Sequence, residues 1–282
     1  MGACRVPFDG AIKDRAVFGE AVLRGLALSG QFTGRLVDVL LPPRCFDCGA
    51  GVAQQGDLCG NCWGKLTFIS APQCALCGYP FEFSPGRNDY GEADHRGNLC
   101  GGCLRRRPVF DVARAALRYD EFSRRLILGF KHRDRTAGTR AFARWLARLA
   151  GPQELVNSMI LPVPLHPRRL WRRRYNQSAL IAAAMGRETG IAVNLLDLVR
   201  HKHTPSQAGL NARQRFRNMR AAFSLREGAG EIFAGRHILL IDDVMTTGAT
   251  AEACSRVLKR AGAAQITLLA LARVVRPAAS AI

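Results

Sequence analysis

Eight of the ten cysteines stand in four C-x-x-C pairs: Cys45/Cys48, Cys59/Cys62, Cys74/Cys77 and Cys100/Cys103. A C-x-x-C turn presents two thiolates along one edge of a tetrahedron, and two such turns complete a Cys4 site for Zn(II). Glycine follows or sits within each turn, where backbone N–H groups fold back toward sulfur with no Cβ in the way. Disulfides, a redox dithiol and an iron–sulfur cluster are the competing chemistries. A redox motif needs one pair, whereas four pairs in 59 residues fit two structural zinc ions. Sequential use gives Cys45, Cys48, Cys59 and Cys62 at one ion and Cys74, Cys77, Cys100 and Cys103 at the other. Interleaving would exchange the middle pairs. Sequential use is preferred, because each half then reads as its own ribbon. Segments this small hold no core without metal, so zinc contributes folding energy here. Loss of Cys48 is expected to unfold the ribbons and spare ligand binding elsewhere. His95, Cys4 and Cys254 stay outside the ligand set.

The second chemical constellation is the run Ile238-Leu239-Leu240-Ile241-Asp242-Asp243-Val244-Met245-Thr246-Thr247-Gly248-Ala249-Thr250. An apolar strand ends in two carboxylates, and a loop of small hydroxyl residues with one glycine opens a helix. Ligands of open α/β sheets bind beyond the carboxyl ends of strands. Thr246, Thr247, Gly248, Ala249 and Thr250 can wrap a phosphate monoester with backbone N–H groups, hydroxyls and the positive end of the helix. Asp242 and Asp243 would repel that phosphate, but they suit sugar hydroxyls or a magnesium ion carried by the substrate. A ribose 5-phosphate satisfies both halves. The pattern is neither G-x-x-x-x-G-K-[ST] nor G-x-G-x-x-G.

These residues need a scaffold. Of 282 residues, 48% are hydrophobic and 22% charged, which excludes wholesale disorder. Helical spacing runs from residue 14 to 40 and stops at Pro42-Pro43. Beyond Arg105-Arg106-Arg107-Pro108, strands are expected at Val112–Tyr119, Met159–Leu165, Ile238–Ile241 and Ile266–Leu271. Helices are expected at 121–130, 139–150, Ser178–Thr189 and Thr250–Ala261. Strands alternating with helices imply an α/β fold with an open, mainly parallel sheet. Three parts follow: an N-terminal helical segment (1–43), the paired ribbons (44–104) and the α/β domain (105–282). No apolar run approaches the ~20 residues of a membrane helix. Residues 16–28 are interrupted by Glu20 and Arg24, so no secretion signal is read and a cytoplasmic protein is expected.

The net charge is +19, and its placement is informative. Residues 105–176 hold 18 Lys/Arg against five Asp/Glu, and residues 200–226 hold seven against none. The rest is nearly neutral, so the excess faces phosphate, either of a small molecule or of nucleic acid. Lys131 and Arg133 lie in the first segment.

The strand–Asp–Asp–loop string closely resembles the phosphoribosyl pyrophosphate (PRPP) motif of type I phosphoribosyltransferases. Leu161 to Arg169, Arg172 to Gln177, and Gln207, Leu210, Arg213, Arg215, Asn218 and Phe223 resemble the ComF (competence protein F) family, as do Leu41 to Cys45 and the paired ribbons. The resemblance implies a phosphoribosyltransferase-like fold that binds PRPP with magnesium. Arg173, Asp242 and Asp243 would carry the transfer, with Arg173 and Arg174 on pyrophosphate and Arg213 and Arg215 in a hood over the ligand. It also implies a role in DNA uptake or in nucleotide metabolism, with single-stranded DNA and competence-machinery proteins as partners. A non-catalytic PRPP sensor or DNA-binding protein is the alternative. One departure stands out: Arg174 occupies a position where the family commonly has glycine, and a positive φ there would strain it.

Overall fold

The computed structural model describes residues 42–82, 98–132, 136–202 and 221–275. The ribbons contain two short helices, α1 (Gly60–Trp63) and α2 (Gly101–Arg105). The α/β domain follows as β1 (Val112–Arg118), α3 (Glu121–His132), α4 (Thr139–Ala147), α5 (Pro152–Leu155), β2 (Ser158–Pro162), α6 (Pro167–Arg173) and α7 (Gln177–Thr189). It continues as β3 (Ala192–Val193), β4 (Leu198–Arg200), β5 (Phe223–Leu225), β6 (His237–Met245), α8 (Ala249–Arg260) and β7 (Gln265–Arg273). The main sheet has the order β1-β7-β6-β2-β3, and every pairing in it is parallel.

The central strands are near-continuous apolar runs because both faces are covered. Alternate side chains of β6 enter different cores. Ile238 and Leu240 pack with Leu258 of α8 and Leu268 of β7. Leu239 and Ile241 pack with Phe142 of α4, Ile181 of α7 and Leu269 of β7. The crossovers from β2 to β3 and from β6 to β7 therefore run on opposite faces and in opposite directions. That reversal makes the boundary of β2 and β6 the topological switch point, where open sheets hold a ligand crevice beyond the carboxyl ends of the strands. β6 runs past Asp242 and Asp243 to Met245, which pairs in register with Arg273. The acids lie within the last turns of the ladder rather than closing it.

The ribbons straddle the β1 edge. Ile69 N–H donates to Ala116 O at 2.9 Å and Arg118 N–H to Thr67 O at 2.8 Å, so Thr67–Ile69 caps an otherwise open edge. Phe46 of the first ribbon meets Phe142 edge-on at 5.5 Å. Arg125–Asp47 (2.6 Å) and Arg144–Asp57 (2.6 Å) ion pairs accompany it. The second ribbon is integral to the other face, where Cys74, Cys77 and Cys103 belong to the same buried cluster as Leu240, Met245 and Leu258. Gly78 there takes φ +67, and a Cβ on it would stand 2.5 Å from Ala113 O. The sequence treats the ribbons as a separate module, but in the fold they share the domain's core.

Candidate functional site: two Cys4 centres and an anion crevice

The eight paired cysteines converge as two clusters, Cys45/Cys48/Cys59/Cys62 and Cys74/Cys77/Cys100/Cys103, each with its sulfurs within 4.8 Å of one another. The sequential assignment is thereby decided. Four thiolates at ~2.3 Å from one Zn(II) stand roughly 3.8 Å apart. Cys48 and Cys59 Sγ are 3.5 Å apart, and Cys77 and Cys100 Sγ 3.6 Å. Sulfurs this close surround a single ion, so the donor sets fit two structural zinc ions. Cys100 N–H donates to Cys74 Sγ at 3.3 Å. The Cys74 thiol is drawn down to about 4 by the Cys77 thiol first, then, against its burial, by the amides of Cys77, Cys100 and Leu76. Cys254 is fully buried on α8 and outside both clusters.

The crevice is built by three chain segments. From β6 come Asp242 and Asp243. Lys131, near the end of α3, pairs with Asp243 at 2.7 Å. The Asp242 carboxyl is pushed up to about 7, first by burial and then by the Asp243 charge, with Lys131 and Arg200 opposing. Gly248 caps α8 at φ 77. A side chain there would be strained by that φ and would crowd Met245 Cε at 3.2 Å, so glycine is required. Thr247 Oγ1 is buried with no hydrogen-bond partner among the described residues.

From β2 the chain enters α6, whose N-terminus is capped by His166. Asn176 Nδ2 donates to Val163 O at 3.1 Å, Tyr175 Oη to Phe130 O at 2.6 Å and Gln177 Nε2 to Lys131 O at 3.4 Å. The Tyr-Asn-Gln string thus fastens α6 to β2 and to the end of α3. Arg173 Nη1 reaches Gln177 Oε1 at 3.4 Å, while its buried Nε has no partner among the described residues. Arg174 adopts φ 65, ψ −23, which is the left-handed conformation the glycine-position argument anticipates. Arg174→Gly should therefore raise stability by about 0.5–1 kcal/mol, the αL cost less glycine's chain entropy. Arg174→Val should lower it. Chemical denaturation of the folded protein measures both.

The third segment was not singled out in the sequence. Arg200 at the end of β4 is 6% exposed and stands over the Phe223 ring at 5.5 Å. Burial first, then the Arg169 charge, holds its guanidinium below the usual value, with Cys254 and Asp242 opposing. Burial first, then Arg173 and Arg172, does the same to Arg169. Arg169 faces this cationic group. The available signal was Arg200's place at the head of the acid-free segment. Arg133, Arg213 and Arg215 lie outside the described residues, and so does the insert with His95. β4 and β5 form an antiparallel pair flanking 203–220.

Parallel strand order and crevice agree with the family models. The double zinc ribbon domain matches residues 36–104, and the phosphoribosyl transferase domain matches residues 178–279. Fold and site define a phosphoribosyltransferase-type domain joined to a double zinc ribbon. The chain is 34% identical over 238 residues to "Competence protein F" of Haemophilus influenzae, spanning 82% of this chain and 96% of that protein. It belongs to the competence protein F family. It is also 30% identical over 241 residues to "DNA utilization protein YhgH" of Shigella flexneri, covering 83% of this chain and 98% of that one. A solved structure of the allosteric regulatory enzyme of purine biosynthesis overlays 51% of this chain and 30% of its own at 15% identity and TM-score 0.34. From so partial an overlay neither substrate nor regulation passes to this chain. Among the described residues, no helix is long and apolar enough to cross a membrane.

Proposed function

We propose that the protein binds PRPP with magnesium in the crevice between β2 and β6 and acts as a phosphoribosyltransferase-like component of DNA uptake. The observation that carries this reading is a pair of buried donors without a hydrogen-bond partner among the described residues: Thr247 Oγ1 in the loop and Arg173 Nε on α6. Buried polar atoms are nearly always bonded, and these two suit the two anionic ends of one ligand. Thr246 to Thr250 would hold the 5-phosphate at the N-terminus of α8. Asp242 and Asp243 would take the ribose hydroxyls. Arg173, with Arg169, Arg174 and Arg200, would meet pyrophosphate through guanidinium forks. Magnesium would neutralise the departing pyrophosphate. The chain's own groups hold both ends of the sugar while positive charge develops at its anomeric carbon. Arg213 and Arg215 fit a covering role over the same ligand. Release of pyrophosphate from labelled PRPP, tested against a panel of bases, amines and oligonucleotides, distinguishes an enzyme from a PRPP sensor.

A second reading, binding of single-stranded DNA, is favoured by one feature of α6. Trp171 is 87% exposed and is neighboured by the exposed Arg168 and Arg172, so a ring for base stacking lies among phosphate-binding charges. Tyr175 is unavailable, since its hydroxyl is tied to Phe130. Affinity for an oligonucleotide should fall at least tenfold between about 50 mM and about 200 mM salt and vary little with sequence. Binding unchanged by salt, or sharply sequence-dependent, contradicts this reading. The names of the relatives support the link to competence and DNA utilisation, and a cytoplasmic location fits it.

A further inference from the structure

Arg273 joins the second Cys4 centre to the residue that precedes the 246–250 loop. Arg273, at the end of β7, is 7% exposed and pairs in register with Met245, the residue immediately before the loop. Val274 N–H donates to Met245 O at 2.9 Å. Arg273 Nη1 donates to Cys77 O at 2.7 Å and lies 2.8 Å from Met245 Sδ, and Nη2 lies 3.5 Å from Cys77 Sγ. Its guanidinium stands over the Tyr79 ring at 5.5 Å. No carboxylate among the described residues pairs with it. A buried guanidinium needs a compensating anion, and Zn(II) held by four thiolates is a dianion. Two further contacts run the same way. Phe110, in the cluster with Cys74, Cys77 and Cys103, lies against Gly248. Arg106, just past α2, pairs with Glu252 in the first turn of α8. The first centre packs on the opposite face, with Phe46, Leu58 and Leu66.

We propose that Arg273 is a positioning residue that ties the 246–250 loop to the second Cys4 centre, so that the loop's shape follows metal occupancy of that centre and not of the first. The consequence for ligand rests on the reading of this loop as the PRPP phosphate site, whereas the consequence for loop order does not. Hydrogen exchange of the full chain tests the loop directly. Wild type, Cys100→Ser, Cys59→Ser and Arg273→Met are compared, because Cys59 and Cys100 are equally half-buried ligands of the two centres. Exchange across 245–250 should rise about tenfold or more in Cys100→Ser and Arg273→Met and stay near wild type in Cys59→Ser. Residues 159–161 and 238–241, at the middle of the sheet, should remain protected in all four. Unchanged exchange at 245–250 overturns the proposal. So does an equal rise in Cys59→Ser, which would mean general loosening of the ribbons. If Arg273→Met loses protection in the sheet as well, Arg273→Lys decides. It keeps the charge but cannot bridge Cys77 and Met245 together, so added exchange confined to 245–250 supports the proposal and wild-type exchange refutes it. Coupling is reciprocal, so saturating magnesium and PRPP should slow zinc release from the second centre about tenfold. An unchanged rate in a protein that binds PRPP overturns the link. Failure of wild type to bind PRPP overturns the ligand reading alone, and the exchange result still judges the tie.

Discussion

Replacing Asp242 and Asp243 together with alanine should weaken magnesium-dependent PRPP binding by ~10² or more while the protein stays folded. Each lost hydrogen bond to a charged group costs about 1.5–3 kcal/mol, and two of them reach that factor. Neither side chain is in the apolar core, so truncation leaves no large cavity. It also removes a like-charge contact that, after burial, raises the Asp242 pKa to about 7. The sign of the stability change follows. With an unfolded value near ~3.9, the folded state binds the extra proton between about pH 4 and about pH 7, so this group's contribution falls as pH rises through that window. Asp242→Asn should therefore stabilise the protein at pH 8 relative to wild type and change little at pH 4. Binding should show the opposite trend. The hydroxyls need an ionised acceptor, so wild-type affinity should decline as pH drops below about 7, and Asp242→Asn should abolish that dependence. Thr247→Val should cost less than the double change, because the loop's backbone N–H groups remain. Calorimetry settles these points. Equal affinity in wild type and the double variant would remove this crevice as the ligand site.

Metal analysis should find two zinc ions per chain, and losing the second should damage the protein more than losing the first. Structural zinc contributes roughly 10–16 kcal/mol in small peptides, as much as the whole stability of an ordinary domain. What decides the outcome is which core each centre supports. Cys48 is exposed, and Cys48→Ser should loosen residues 45–62 and leave PRPP affinity within a few-fold of wild type. Cys77 is buried beside Arg273, in the cluster that also contains Leu240 and Met245. Cys77→Ser should lower the thermal midpoint of the entire domain and weaken ligand binding with it. Fewer than one zinc per chain, or iron in its place, would contradict the assignment. Identical midpoints for the two variants would show that the ribbons do not share the domain's core.

The sequence by itself determined the chemistry that depends on neighbours along the chain. The C-x-x-C spacing specified paired thiolates, because two sulfurs three residues apart can meet one ion whatever surrounds them. The run from Ile238 to Thr250 specified a buried strand, two acids and a glycine-hinged helix start, because periodicity and φ preference are local properties. The family resemblance marked Arg174, at a position commonly glycine, as the place where a positive φ would carry strain, and the structure shows that φ. Tertiary structure alone decided what depends on register and on layers. It extended β6 past its acids, because β7 supplies hydrogen-bond partners as far as Arg273. It chose sequential over interleaved cysteine sets. It made Tyr175, Asn176 and Gln177 fasteners of α6 to β2 and α3, and it brought Arg200 near Asp242 and Arg169 near Arg200. It set Arg273 between the second Cys4 centre and the 246–250 loop, against Cys77, 196 residues away along the chain. Such pairings come from the burial of both sheet faces at once. One strand's apolar pattern shows that both faces are covered, but only the packed molecule shows by what.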